Sequence, residues 1–182
     1  MKRRNQTDMN IGFIGLGNMA QAMLGGIIKK ELVEPCDIYA WDISEASRKN
    51  VGEKLGINIL DSNEEVAEKA DFLFLAVKPG VVEGVIKEIR EHVRPETVVV
   101  SIAAGKSLSF LLNAFSKPEV KVIRCMPNTP ALVGMGCTAV TPSETVEVGE
   151  LEKTLTILRS FGKAEVVAEY LMDAVVGVSG SS

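Results

Sequence analysis

A short apolar run that breaks on glycine and reopens as a helix constrains this chain more than any other feature. Ile11–Ile14 runs straight into Gly15-Leu16-Gly17-Asn18-Met19-Ala20. From Asn18 to Lys30 the apolar residues Met19, Met23 and Ile27 then fall at helical spacing. The pattern is GxGxxA between a strand and a helix. Gly15 permits a tight turn, Gly17 lacks a Cβ and lets the backbone approach a pyrophosphate, and Ala20 allows close helix–strand packing. The unpaired N–H groups at the helix start, around Asn18 and Met19, then face phosphates with the helix dipole behind them. Ile14, just before the turn, and Leu16, within it, are expected to bind the cofactor with the glycines. The alternative is a βα turn without a ligand, and the strand–turn–helix context favours the dinucleotide.

Beyond this unit, strand-like and helix-like patterns alternate. Strands are expected at Asp37–Trp41, Ile57–Leu60, Phe72–Val77, Thr97–Ile102, Val120–Cys125, Cys137–Thr141 and Ala164–Val167. Between them, Ser44 caps a helix ending at Gly56, and Ser62 with Glu65 has capping-box spacing. Val81, Val82, Val85, Ile86 and Ile89 lie on one helical stripe. Ser107–Phe115 and Val148–Phe161 read as further helices, and Tyr170–Val178 begins another helical pattern. Phe72–Val77 is apolar at every position, as befits a parallel strand covered on both faces. The expected fold is α/β: a doubly wound Rossmann-type sheet of about eight mostly parallel strands with helices on both faces. It spans residues 1–167, with 168–182 starting a linker or helical segment.

In such a sheet the second strand ends at the adenosine ribose. Asp42 stands there, and a carboxylate accepts from ribose hydroxyls and repels a 2′-phosphate, which favours NAD. Asp42 could instead cap the following helix, and Arg48 or Lys49 could serve a phosphate one turn further on.

The chain has 182 residues, of which 46% are hydrophobic, with a net charge of −4. That is ample for one domain and short for two, with no basic excess to suggest nucleic acid. No apolar run reaches membrane-spanning length, and the start Lys2-Arg3-Arg4 precedes no signal-peptide core. A cytoplasmic location is expected. Cys36, Cys125 and Cys137 have neither disulfide nor zinc spacing. The single His92 reads as a solvated residue at a frayed helix end, so triad chemistry and multi-histidine metal sites are not expected.

Several short phrases resemble the pyrroline-5-carboxylate reductase family. They are Phe74-Leu75-Ala76-Val77-Lys78-Pro79, Ser101-Ile102-Ala103-Ala104-Gly105, Arg124-Cys125-Met126-Pro127-Asn128-Thr129-Pro130 and the closing Gly177-Val178-Ser179-Gly180-Ser181-Ser182. The resemblance implies reduction of pyrroline-5-carboxylate to proline by NADPH or NADH. Many relatives carry a Ser/Asn-Arg type of 2′-phosphate site after the second strand, and this chain departs from them with Asp42-Ile43, which favours NADH. It implies that Ala76, Val77, Lys78, Pro79, Ile102, Ala103 and Ala104 line the cofactor and that Asn63 lies near the adenine. For Lys78 an ordinary surface lysine is the alternative. The resemblance sets Asn128, Thr129 and Ser181 on the substrate side, with no metal. It also implies a helical dimerisation domain after residue 182, hence a homo-oligomeric parent protein and poor turnover by these 182 residues alone. The competing readings are a β-hydroxyacid dehydrogenase relative, a deazaflavin-dependent NADP reductase and a non-catalytic NAD(P)-binding module. The Met126–Pro130 phrase argues against the first two.

Overall fold

The computed structural model describes residues 9–172 and residue 174. Among them the expected alternation forms one sheet of 8 strands in the order β3-β2-β1-β4-β5-β6-β7-β8. The strands are β1 (Ile11–Ile14), β2 (Ile38–Trp41), β3 (Asn58–Ile59), β4 (Phe72–Leu75), β5 (Val98–Ser101), β6 (Lys121–Met126), β7 (Gly136–Pro142) and β8 (Gly162–Val166). The helices are α1 (Asn18–Lys29), α2 (Glu45–Leu55), α3 (Asn63–Lys69), α4 (Val82–Ile89), α5 (Leu108–Phe115) and α6 (Val148–Leu158).

Strand side chains alternate between faces, and the core divides accordingly. Ile11, Phe13, Phe72, Phe74, Val98, Val100, Ile123 and Cys125 pack with residues of α1, α2 and α6. Ile14, Leu73, Leu75, Val99 and Val122 pack with α3, α4 and α5 on the other face. Apolar runs with no polar partner residue are therefore required wherever a strand is covered twice. At the centre of the first layer the rings of Phe13 and Phe74, on neighbouring strands, stack with centroids 4.8 Å apart and planes 7° apart.

One pairing departs from the parallel pattern. β6 and β7 are antiparallel, with Met126 opposite Ala139, whereas β7 and β8 are parallel. Residues 127–135 carry only a 3₁₀ turn, Thr129–Val133, and form no crossover helix. A parallel neighbour needs a crossover of a dozen or more residues, so a connection this short turns the chain back.

Local signals set the helix ends. Ser44, Ser62 and Ser107 accept from the N–H groups of Ser47, Glu65 and Phe110, and Gly56 ends α2 in the left-handed conformation. The Glu65 carboxylate reaches back to the N–H of Asp61, one residue earlier than the expected capping box requires. The helix expected to run to Phe161 ends at Leu158 and tightens into a 3₁₀ turn, Arg159–Phe161. Of the expected Tyr170–Val178 helix, residues 173 and 175–178 lie outside the described residues. Its first residues, Tyr170 and Leu171, belong instead to a 3₁₀ turn, Glu169–Leu171, that leads to a buried Met172.

Removing the ring of Phe74 leaves a cavity against Phe13 that the flanking strands cannot close. Phe74→Ala is expected to lower unfolding free energy by about 3–5 kcal/mol in urea titration.

Candidate functional site

β1 and β4 are adjacent, yet α1 leaves β1 to cover one face and α4 leaves β4 to cover the other. The strand order reverses between them, and ligands of open α/β sheets sit beyond the strand ends at that point. A cleft of about 310 Å³ lies there, lined by Gly17, Asn18, Met19, Ala20, Ala76, Val77, Lys78, Ile102, Met126 and Pro127. The expected cofactor residues Gly17, Asn18, Met19, Ala76, Val77, Lys78 and Ile102 are thus brought together. Ala103 is buried in the core cluster that includes Ile14, Leu75 and Val82. Pro79 and Ala104 are not among the lining residues.

The two glycines of the turn differ in what requires them. Gly15 has φ +97°, and a Cβ there would stand 2.5 Å from the Ala76 carbonyl oxygen. Its N–H donates to the Trp41 carbonyl at 2.9 Å, and the Ala76 N–H donates to the Ile14 carbonyl at 2.8 Å. Gly17 has φ −67° and ψ 179°, ordinary extended values. A Cβ on Gly17 would meet nothing within 4 Å. Protein packing therefore does not demand glycine at position 17, and the space it leaves opens onto the cleft. As the residue before α1, Gly17 supplies no side-chain cap. The first N–H groups of α1 are left for an anion or solvent. Ile14 and Leu16 have buried side chains and shape the turn through their backbones.

At the end of β2, Asp42 is tied on both carboxylate oxygens. Oδ2 accepts from the Leu16 N–H at 2.7 Å and Oδ1 from the Ser44 N–H at 2.7 Å. Arg48 donates to the Asp42 carbonyl at 2.5 Å, and its guanidinium lies 5.7 Å from the centre of the Trp41 ring. Ser44, not Asp42, caps α2.

Asn63 is buried at the start of α3, and its Nδ2 donates to Glu88 Oε2 at 2.7 Å. Because a carboxylate only accepts, this contact fixes the amide orientation. Asn63 Oδ1 is then a buried acceptor without a partner, shielded from solvent as well as from protein donors.

On the other side of the cleft, Asn128 Oδ1 accepts from the Cys137 N–H at 2.8 Å and pins the loop after β6 to β7. Thr129 is exposed at the start of the 3₁₀ turn. Ser181 lies outside the described residues.

An ion pair between a buried arginine and a half-buried glutamate escaped sequence reasoning. Arg124 Nη1 donates to Glu169 Oε1 at 3.1 Å, and the same oxygen accepts from the Leu108 N–H at 2.7 Å. The segment after β8 is thereby fastened to β6 and to the start of α5. A distant glutamate in a turn carries no sequence signal for this contact.

His92 lies far along the chain from the turn residues and pairs with Glu68 at 2.6 Å on the surface. Cys125 is fully buried, and burial pushes its thiol well above the usual range, so it stays protonated. Cys36 and Cys137 are exposed free thiols. No helix among the described residues is long and apolar enough to cross a membrane.

A family model described as NADP oxidoreductase, coenzyme F420-dependent, matches residues 10–105, more than half of the chain. The chain is 46% identical over 175 residues to a pyrroline-5-carboxylate reductase of Escherichia coli (strain K12). That alignment covers 96% of this chain and 65% of the relative. Among solved structures, a pyrroline-5-carboxylate reductase from Coxiella burnetii superimposes with a TM-score of 0.91 at 30% identity, covering 97% of this chain and 65% of that one. The Plasmodium falciparum enzyme, solved with NADP bound, gives 0.85 at 27% identity, covering 95% and 63%. The chain thus spans just under two thirds of the length of these relatives.

The two glycines make a paired prediction. Gly15→Ala meets left-handed strain of about 1–3 kcal/mol plus the clash with Ala76, and should lower the melting temperature clearly. Gly17→Ala, in open space with ordinary backbone angles, should leave it within experimental error. Differential scanning calorimetry of the two variants checks both.

Proposed function

We propose that this chain, which belongs to the family described as NADP oxidoreductase, coenzyme F420-dependent, is the cofactor-binding part of an enzyme reducing 1-pyrroline-5-carboxylate to L-proline, the last step of proline biosynthesis. Residues 1–167 form the dinucleotide-binding domain, and 168–182 lead toward a helical domain through which the whole protein assembles as a homo-oligomer in the cytoplasm. Its substrate is a small molecule, and neither nucleic acid nor a membrane is a partner. The observation that carries this reading is the sequence identity of 46% sustained over the reach of the similarity. The family match stops at residue 105, within the cofactor-binding half, whereas likeness to pyrroline-5-carboxylate reductases covers 96% of the chain. A β-hydroxyacid dehydrogenase shares the fold over 94% of the chain but at only 16% identity, against 46% for the pyrroline-5-carboxylate reductase, and a purely NAD(P)-binding module accounts for the turn alone.

The residues present fit a nicotinamide dinucleotide. The open space at Gly17 admits a pyrophosphate against bare backbone, and the uncapped start of α1 offers donors to it. Ala76, Val77, Lys78 and Ile102 line the wall for the rest of the cofactor, the family resemblance adds Pro79, Ala103 and Ala104, and Asn63 stands on the adenine side. When bound, the reduced nicotinamide supplies a hydride to the imine carbon. A protonated cyclic imine is already electrophilic, so the protein's task is to orient it and exclude water. Asn128 and Thr129 serve this on the substrate side, together with Ser181. Since Asn128 Oδ1 is committed to Cys137, its Nδ2 is the group left to donate to substrate.

NADH is the preferred cofactor in this proposal. Each Asp42 oxygen accepts one backbone N–H and keeps acceptor capacity for a ribose hydroxyl, and the carboxylate charge opposes a 2′-phosphate. Titration should give a lower Kd for NADH than for NADPH, and Gly17→Val should bind neither while remaining folded by circular dichroism. If NADPH binds more tightly to the wild type, Arg48 or Lys49 is the phosphate partner and Asp42 does not set the preference.

Well-oriented reactants gain roughly 7–11 kcal/mol in barrier, and one open cleft cannot hold a second small reactant that closely. At saturating NADH, these 182 residues should turn over pyrroline-5-carboxylate at least about a hundred-fold more slowly than a full-length relative. Equal kcat values would place the whole catalytic apparatus within this chain.

A further inference from the structure

We infer that Asp42 is a positioning residue for the glycine turn, so that one carboxylate couples the end of β2, where the proposed cofactor's adenosine would lie, to the turn that would hold its pyrophosphate. The inference rests on the dinucleotide reading above and extends it.

Three observations meet at this side chain. First, Oδ2 takes the N–H of Leu16, the residue between the two glycines of the turn, 26 residues away in sequence. Second, Oδ1 takes the N–H of Ser44, which caps α2 through its own side chain. The carboxylate therefore bridges the β1–α1 turn and the β2–α2 turn with two bonds of 2.7 Å. Such charge-assisted bonds to backbone donors are among the stronger ones available. Third, Gly17 is not confined by its neighbours, since a Cβ there would have free space. Its conformation is therefore not set by packing, and the bonds made by Gly15 and Leu16 hold the turn. Arg48 steadies the same corner from outside, donating to the Asp42 carbonyl while lying over Trp41.

A ribose acceptor alone would make Asp42 matter only to ligands that carry adenosine. A brace makes it matter to any ligand whose phosphate sits on the turn. Reduced nicotinamide mononucleotide separates the two roles, because it carries the nicotinamide, one ribose and one phosphate and lacks adenosine. Its affinity, and that of NADH, would be measured by calorimetric titration on the 182-residue chain and on Asp42→Ala and Asp42→Asn. Asp42→Ala is expected to weaken NADH about ten-fold or more and the mononucleotide at least about three-fold. Asp42→Asn keeps one acceptor oxygen and should fall between. Hydrogen exchange at the Leu16 amide of the free protein should speed up in the same order. Should the alanine variant fail to fold, the asparagine variant carries the comparison. Weakened NADH with unchanged mononucleotide binding would overturn the brace and leave the ribose role standing. A wild-type chain that binds neither ligand would overturn the dinucleotide reading and the brace with it.

Discussion

The cleft depends on one close approach, the backbone of Gly15 against the carbonyl of Ala76. A Cβ at position 15 would stand 2.5 Å from that oxygen, and φ there is +97°. Only glycine satisfies both conditions. The approach allows the chain to leave β1 and turn into α1 while β4 ends beside it, so the two strand ends stay level. From that point α1 goes to one face and α4 to the other, which opens the crevice between them. The stacked pair Phe13 and Phe74 holds the same two strands together one layer below. Site and core are thus successive parts of one strand pair.

Much of this was legible in the sequence because it follows from backbone rules. Strand and helix positions came from apolar periodicity, and helix starts from serines at Ser44, Ser62 and Ser107. The turn residues are legible because glycine spacing is a local feature, and the wall at Ala76 to Lys78 through the family resemblance. The direction of β7 was not separately legible. It depends on the absence of a helix between Met126 and Gly136, and that segment reads only as a proline-bracketed loop. The Arg124–Glu169 pair was invisible for a different reason: its members are 45 residues apart and joined by the fold alone.

Side-chain commitments were the least legible part of the site. Asp42, Asn63 and Asn128 are each polar residues at strand or helix ends, where a ligand contact is the natural reading. In the structure each already has a protein partner: Leu16 and Ser44 for Asp42, Glu88 for Asn63, Cys137 for Asn128. A sequence shows that a polar group exists and not which of its lone pairs or protons is already used. The distinction matters energetically, because a committed group left without its partner costs about 1–3 kcal/mol.

The cleft therefore divides into two kinds of recognition. Its phosphate side is made of backbone N–H groups and of space left by a missing Cβ, and neither depends on the identity of neighbouring side chains. That is why the dinucleotide signal could be read from small residues alone. Its far side is lined by Met126 and Pro127, and the chain then runs into a turn and its exit where Leu132, Val133 and Met135 are 53%, 75% and 77% exposed. Specific recognition of a small polar substrate needs fixed donors in a site closed to water. A solvent-facing apolar turn with one pinned asparagine does not meet that need. The asymmetry follows from the fold. Strand ends present backbone to a ligand wherever the sheet order reverses, whereas side chains that discriminate one small substrate from another must be held by packing on more than one side.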